Sequence, residues 1–265
     1  MKRNFAEHGY MCDAASLENR IISLGTDFKF PSNVHVSKLY EDANMAVIHT
    51  DRTYLFLNGG GYSGKPGKGI ECVNTHTHND ALSFELSIDG RDFIVDSGAY
   101  LYTSNSEKRN AFRSTLKHNT VFVDGEEQND FVGFFRMKKN AIYNPLQNKN
   151  GVYEGSYVTL RGKMNHRRSF RFFQDRLEVR DIINKDGTNH NVRIIFHFAP
   201  GLTPQIDDKI VKANGVSMIF NKTPKHLIVI DDTVSPSFGV LTENKTVVVS
   251  FDFDNELEVI TKIVY

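Results

Sequence analysis

Tryptophan is absent from the 265 residues, and cysteine occurs only twice. Without indoles the chain lacks the platforms on which many sugar-binding surfaces stack rings, which argues against a stand-alone lectin. Cys12 and Cys72 are too few for a disulfide framework and too far apart for a zinc knuckle, so both read as free thiols. Net charge is lacking too. Lys+Arg and Asp+Glu are 32 each, so nothing global favours nucleic acid or an anionic membrane, and recognition of an acidic ligand must be local. No apolar run approaches the ~20 residues that span a bilayer. The opening "MKRNFAEHGYMCDAASLENR" also lacks the apolar core of a signal peptide, so the sequence carries no visible address.

What is abundant is phenylalanine, 20 residues, which suits the interior of a β-sheet protein. Only the beginning has helical periodicity. "DAASLENRIISLG" places Leu17, Ile21, Ile22 and Leu24 on one face, with Asp13 or Ser16 as an N-cap and Gly25 as a stop. From Pro31 the period becomes two. "MAVIHT" and "RTYLFLN" flank a short turn, and "LSFELSI" and "RDFIVD" flank Asp89-Gly90. After them come "NTVFVDG", "VYEGSYVTLRG", "HRRSFRFF", "RLEVRDII", "NVRIIFHF", "HLIVIDD" and "KTVVVSFDF". Short strands separated by Gly, Asn, Asp and Pro predict an all-β, antiparallel sandwich spanning 36–265, behind a helical lead-in or linker over 1–35.

Two stretches resist that pattern. "LNGGGYSGKPGKGIEC" (57–72) has neither the setting nor the spacing of a phosphate-binding loop and reads as a flexible loop. "YTSNSEKRNAFRSTLKHN" (102–119) reads as a long polar connection, a length more often functional than idle.

Chemistry concentrates in "NTHTHND" (74–80). If Gly90 occupies the left-handed position of a bulged turn, Leu82 pairs with Asp96, which joins the face of Leu82, Phe84 and Leu86; a two-residue turn puts it on the opposite face. His76 and His78 share the parity of that face, yet His78 stands about 13 Å along the strand from Asp96's partner. The chain must bend near Asn79-Asp80 for the two to meet. His118, opening "NTVFVD", is the natural third member, and two imidazoles with a carboxylate make a reasonable zinc site. Spacing alone leaves the bland alternatives open: paired structural histidines, a turn carboxylate before Ser97-Gly98, a loop-capping His118. Cupins also place His-x-His on a β scaffold, but Glu85 and Gly90 do not fall at the usual cupin spacing.

"HTHNDALSFELSIDGRDFIVDSGAYLYT", "RNAFRSTLKHNTVFVDGEEQN", "HRRSFRFFQDRLEVRDII" and "RIIFHFAPG" together resemble the C-terminal β domain of the heparinase II/III family of polysaccharide lyases. The strongest match covers 74–129, with weaker ones to about 201. The resemblance implies β-elimination on an acidic, uronate-containing polysaccharide, in a cleft between this domain and a helical (α/α) toroid supplied in cis or trans. It also implies a periplasmic or secreted setting. Carried over by motif, it makes His78, Asp96 and His118 the ligands of a structural Zn2+ and turns His76 toward the substrate carboxylate. Arg113, Tyr100 and Tyr102 fall where substrate contacts are expected. The toroid's own tyrosine, asparagine and histidine have no counterpart in this sequence, and residues 1–35 would be at most its last helix and linker. A non-catalytic, metal-stabilised carbohydrate-binding or scaffold domain is the alternative.

Other candidates have plainer readings. "HRRSFRFF" (166–173) could meet a polyanion through Arg167, Arg168 and Arg171, but Arg167, Ser169 and Arg171 share one strand face, opposite Phe170 and Phe172, so a solvated outer surface is the readier reading. His197, within "IIFHFAPG", reads as a core histidine, and Asp124-Gly125 and 184–187 read as turns. Glu126, Glu127 and Asp130 would repel an acidic chain and are kept out of any binding surface.

Overall fold

The structure, a computed structural model, describes residues 37–61, 72, 73 and 76–265 apart from 134 and 139. The expected helical lead-in, Cys12 and most of the glycine-rich loop lie outside the described residues. A five-stranded antiparallel sheet is formed, in order, by β1 (Ser37–Tyr40), β2 (Met45–His49), β3 (Thr53–Asn58), β5 (Ser83–Ile88) and β6 (Arg91–Ile94). Three short strands make a second sheet: β4 (Cys72–Val73), β8 (Asp130–Val132) and β9 (Arg136–Lys138). The large sheet contains β7 (Val121–Val123), β10 (Ala141–Lys149), β11 (Val152–Thr159), β12 (Asn165–Phe172) and β13 (Arg176–His197). It continues through β14 (Gln205–Asp207), β15 (Ile210–Ala213), β16 (Val216–Phe220), β17 (His226–Ser237) and β18 (Val240–Val264).

Period-two patterning decides which face is covered. In β3, Thr53, Leu55 and Leu57 point inward and alternate with half-buried Tyr54, Phe56 and Asn58. Phe84 of β5 meets Phe170 of β12 and Phe196 of β13 edge-on, at centroid distances of 5.4 and 6.3 Å. Phe93 meets Phe198 at 5.1 Å. These contacts join the five-stranded sheet to the large one, so the sandwich interior is filled by phenylalanine, as composition led one to expect.

Two expectations need correction. The 184–187 segment does not end a strand: β13 runs unbroken for 22 residues. Its pairing with β18 slips between Lys185↔Asn255 and His190↔Phe253, five steps on one strand against two on the other, so the turn-forming residues are spent on a bulge with Gly187 at φ 116°. The polar stretch 102–119 is not a plain connection either. It contains a helix, α1 (Ser106–Arg113), capped by the Asn105 side chain, which accepts from the Lys108 N–H at 2.8 Å.

The hairpin combines both weighed registers. Asp89 and Gly90 have φ of 50° and 74°, a two-residue turn pairing Ile88 with Arg91, and a bulge then shifts the pairing to Leu86↔Ile94. β6 ends there, and the next residue, Val95, donates its N–H to His197 O (3.0 Å) instead. The anticipated bend is present as well: Ser83 N–H donates to Asp80 O at 3.0 Å and Leu82 takes a left-handed φ of 60°.

Candidate metal and substrate site

The bend at 80–82 brings the histidine tract over the turn that precedes β7. The His78 and His118 rings lie 5.2 Å apart, centroid to centroid. His118 is fully buried, at the end of a short 3-10 turn (Thr115–Lys117). Its Nδ1 contacts Asp96 Oδ2 at 2.6 Å, while Gly98 N–H donates to Asp96 Oδ1 at 2.8 Å. The second nitrogen of His118, Nε2, is buried and meets no hydrogen-bond partner among the described residues.

Electrostatics follow from this crowding. Burial and the neighbouring His118 push His78 down to about 3. Burial alone would raise the Asp96 carboxyl, but the charge and hydrogen bond of His118 and the Gly98 N–H outweigh it and hold it at about 2. Burial opposes charge on His118 too, and Asp96 overcomes it, so His118 is raised. Asp80 is pushed up to about 6 by burial. One proton is thus shared between His118 Nδ1 and Asp96, which leaves Nε2 as the imidazole nitrogen open to a cation.

Asp80 is the member that sequence reasoning missed. One ligand atom each from His78, Asp80 and His118 lies within 4.8 Å of the others. Ligands on one zinc stand roughly 3.4 Å apart, so modest closure would bring them onto an ion. Hard and borderline donors, a buried imidazole nitrogen without a partner and the His118–Asp96 contact all fit a zinc-sized cation. The signal was present in "HTHND", where Asp80 has the same two-residue spacing from His78 that His78 has from His76.

His76 stands apart from this cluster, on the exposed side. Its ring meets Tyr102 edge-on at 5.7 Å and Phe135 at 5.7 Å. Tyr102 stacks in turn on Phe238 at 5.6 Å, and the buried Arg109 guanidinium lies 4.8 Å from both the Tyr102 and Phe135 ring centres. Tyr100, left-handed at φ 54°, turns instead onto Phe112 of α1 at 5.3 Å. Arg113 is placed in the interior rather than in a cleft. It is fully buried, donates to Thr77 O (3.4 Å) and Arg136 O (3.2 Å), and burial lowers it to about 10. Its contacts fix the backbone between the two histidines.

The remaining readings can be placed as well. Arg167 and Arg171 are exposed on β12, as alternation requires, and His197 is buried against Asn119. Asp130 pairs with Arg161 and Glu126 with Lys185, so neither faces the histidines alone.

Over residues 34–260 the sequence matches the family described as Heparinase II/III-like, C-terminal. The chain belongs to that family. The heparinase-like fold is shared with solved lyase structures. Heparan sulfate lyase HepC from Pedobacter heparinus superposes with a TM-score of 0.69 at 18% identity, covering 92% of this chain and 38% of that one. Chondroitin AC lyase from Streptomyces coelicolor A3, in complex with chondroitin sulphate, gives 0.53 at 10% identity over 94% and 35%. A 4-alpha-glucanotransferase from Thermococcus litoralis gives 0.51 at 9% identity over 83% and 37%, so the fold is not confined to lyases. The chain therefore spans little more than a third of these proteins. No curated protein matches the sequence. Among the described residues, no helix is long and apolar enough to cross a membrane.

Proposed function

We propose that this heparinase-like domain is the β-sandwich part of a lyase that cleaves a uronic-acid-containing polysaccharide by β-elimination, working with a helical toroid domain. His78, Asp96 and His118 hold a structural Zn2+, with Asp80 as a fourth group at the same centre. When bound, the ion supplies a fixed positive charge that locks the histidine tract to the turn before β7; elimination consumes no water, so none needs activating. His76 faces the substrate.

Removing the proton beside a sugar carboxylate builds an enolate-like dianion, which needs donors or positive charge aimed at the carboxylate beforehand. His76 supplies the donor, and Tyr102, in ring contact with it, limits how far the imidazole can swing. Arg113 and Tyr100 act from behind, through Thr77 and α1. The base that takes the proton and the acid that protonates the leaving oxygen complete the site. The observation that supports this reading is the opposite placement of two histidines within three residues: His78 turned toward the buried His118–Asp96 pair and His76 left on the exposed side.

The test has two arms. Elemental analysis of untagged protein is expected to find about one zinc per chain, lost in His78→Ala and retained in His76→Ala. With the helical domain supplied, the ultraviolet absorbance of the unsaturated uronate product is expected to appear for the wild type and to fall at least a hundredfold for His76→Ala. Zinc without elimination in any uronate polymer would favour a metal-stabilised carbohydrate-binding domain instead. Absence of zinc would sink the metal centre.

A further inference from the structure

Asp124 and Gly125, both at positive φ (51° and 75°), reverse the chain after β7, and the next residues run back beneath the histidine site. Glu127 belongs to this returning segment. One of its carboxylate oxygens accepts from the Ser114 hydroxyl. The other accepts from Thr115 N–H (2.8 Å), Thr115 Oγ1 (2.7 Å) and Asn79 Nδ2 (2.7 Å). Asn79 stands between His78 and Asp80. Ser114 and Thr115 begin the turn that ends on His118. One carboxylate thus ties together the two segments that carry the histidines, 40 residues apart in sequence.

Asn79 and Thr115 are buried, so their donors have no water to turn to if the carboxylate leaves. A second tie runs alongside: Asn79 and Asn129 exchange side-chain and backbone hydrogen bonds, Asn79 Nδ2 to Asn129 O at 2.9 Å and Asn129 N–H to Asn79 Oδ1 at 3.0 Å. That tie holds Asn79 but does not touch the His118 turn. Glu127 is the side chain that grips Asn79 and the His118 turn at once, beside a backbone bond from Asn79 N–H to Arg113 O (2.9 Å) and a longer bridge through Gln128 from Thr115 to Ala81.

From this geometry we infer that Glu127 is a positioning residue that sets the spacing of His78 and His118, an inference that rests on the metal-centre reading above. Its reach matters and its charge does not. Three of the four donors converge on one oxygen, while the other oxygen meets only a hydroxyl, which can accept as well as donate. A glutamine with its carbonyl toward Thr115 and Asn79, and its amide donating to Ser114 Oγ, satisfies every partner. Aspartate, one methylene shorter, cannot bridge the same span.

The experiment uses the full chain with zinc as the probe. Zinc affinity is read by chelator competition, and amide hydrogen exchange is read on the metal-free protein. Glu127→Ala and Glu127→Asp are expected to weaken zinc binding by about tenfold or more and to speed exchange in both 78–80 and 114–119. Glu127→Gln is expected to stay within about threefold of wild type and to restore the Co2+ absorption bands that Ala and Asp alter. Thr115→Val, which removes one donor from the opposite side, should change both readouts in the same direction by less, and stands in if Glu127→Ala fails to fold. If Gln fails as badly as Ala, or if Ala loosens only 114–119 and leaves zinc affinity unchanged, the inference is overturned. A wild type that binds no zinc overturns the metal reading instead, and the exchange arm still decides whether Glu127 couples the two segments.

Discussion

Arg168 is a fully buried charge that ties several groups together. Its guanidinium grips Asp181 twice (2.7 and 3.1 Å), and Nη1 donates to Leu82 O (2.9 Å) and Asn119 O (2.6 Å). Leu82 ends the bend after Asp80, and Asn119 follows His118, so the β12–β13 pair is bolted to the site from below. Replacing Arg168 by methionine leaves the buried Asp181 carboxylate with His166 alone (2.7 Å) and strands two carbonyls, and should cost about 3–5 kcal/mol in urea unfolding. Adding Asp181→Leu should return only part of that, because it removes the under-compensated charge but takes from buried His166 its carboxylate partner. Gly98 makes a second residue-scale case. A Cβ there would lie 2.2 Å from Ser235 O on a backbone already at φ +76°, so Gly98→Ala should cost more than about 2 kcal/mol, read by the same unfolding curves, and should also disturb the N–H that holds Asp96. Alternation along "HRRSFRFF" put Arg167 and Arg171 outside with no structure in hand. It also implied Arg168 on the phenylalanine side, but the partner that makes this tolerable, Asp181, lies on another strand and is found only through the register Arg168↔Asp181.

At the scale of elements, strands were legible because burial follows a period that hydrophobicity reports. Helix α1 was not, for a physical reason. Its buried positions, Arg109, Phe112 and Arg113, have helical i, i+3, i+4 spacing, yet two of the three are arginines, so no apolar stripe marks the helix. Their charges are accommodated by carbonyls and aromatic faces supplied from distant segments: Leu101 O and the Tyr102 ring for Arg109, Thr77 O and the Phe131 ring for Arg113. The cap was visible in "NSEK" but lacked a periodic run behind it. With so little intrinsic preference, α1 should depend on that cap: Asn105→Ala is expected to cost about 1 kcal/mol and to raise amide exchange selectively over 106–109. The short strands β14, β15 and β16 escaped notice because turn residues interrupt them every few positions. The long β13 reads in two pieces, since a bulge and a turn use the same residue types, and of β18 the alternation marks only "KTVVVSFDF".

Across the whole molecule, buried titratable groups pull stability in opposite directions as pH falls. Burial keeps His166 and His197 neutral, His197 at about 4, whereas an unfolded histidine takes its proton near 6.5. Below about pH 6.5 these two histidines therefore lower stability, while Asp80, pushed up to about 6, and His118, raised by Asp96, add to it because the folded chain binds their protons first. Asp181 acts lower. Burial would raise it, but Arg168 and His166 hold it at about 2, so its contribution, on the order of 2 kcal/mol, is present above the unfolded value near 3.9 and lost between there and about pH 2. If the proposed metal centre forms, it should add a dependence of its own, because a cation held by His78, Asp80 and His118 competes with protons for Asp80, pushed up to about 6, and for the raised His118. Under the proposed function, zinc at a hundredfold excess over its Kd stabilises the fold by about 2.7 kcal/mol. That increment should be full near pH 7.5 and shrink toward pH 5, as protons compete for the same atoms. Thermal melts with zinc and with chelator at the two pH values would check this. A zinc-induced shift of equal size at both would mean that the ion binds away from the histidine cluster.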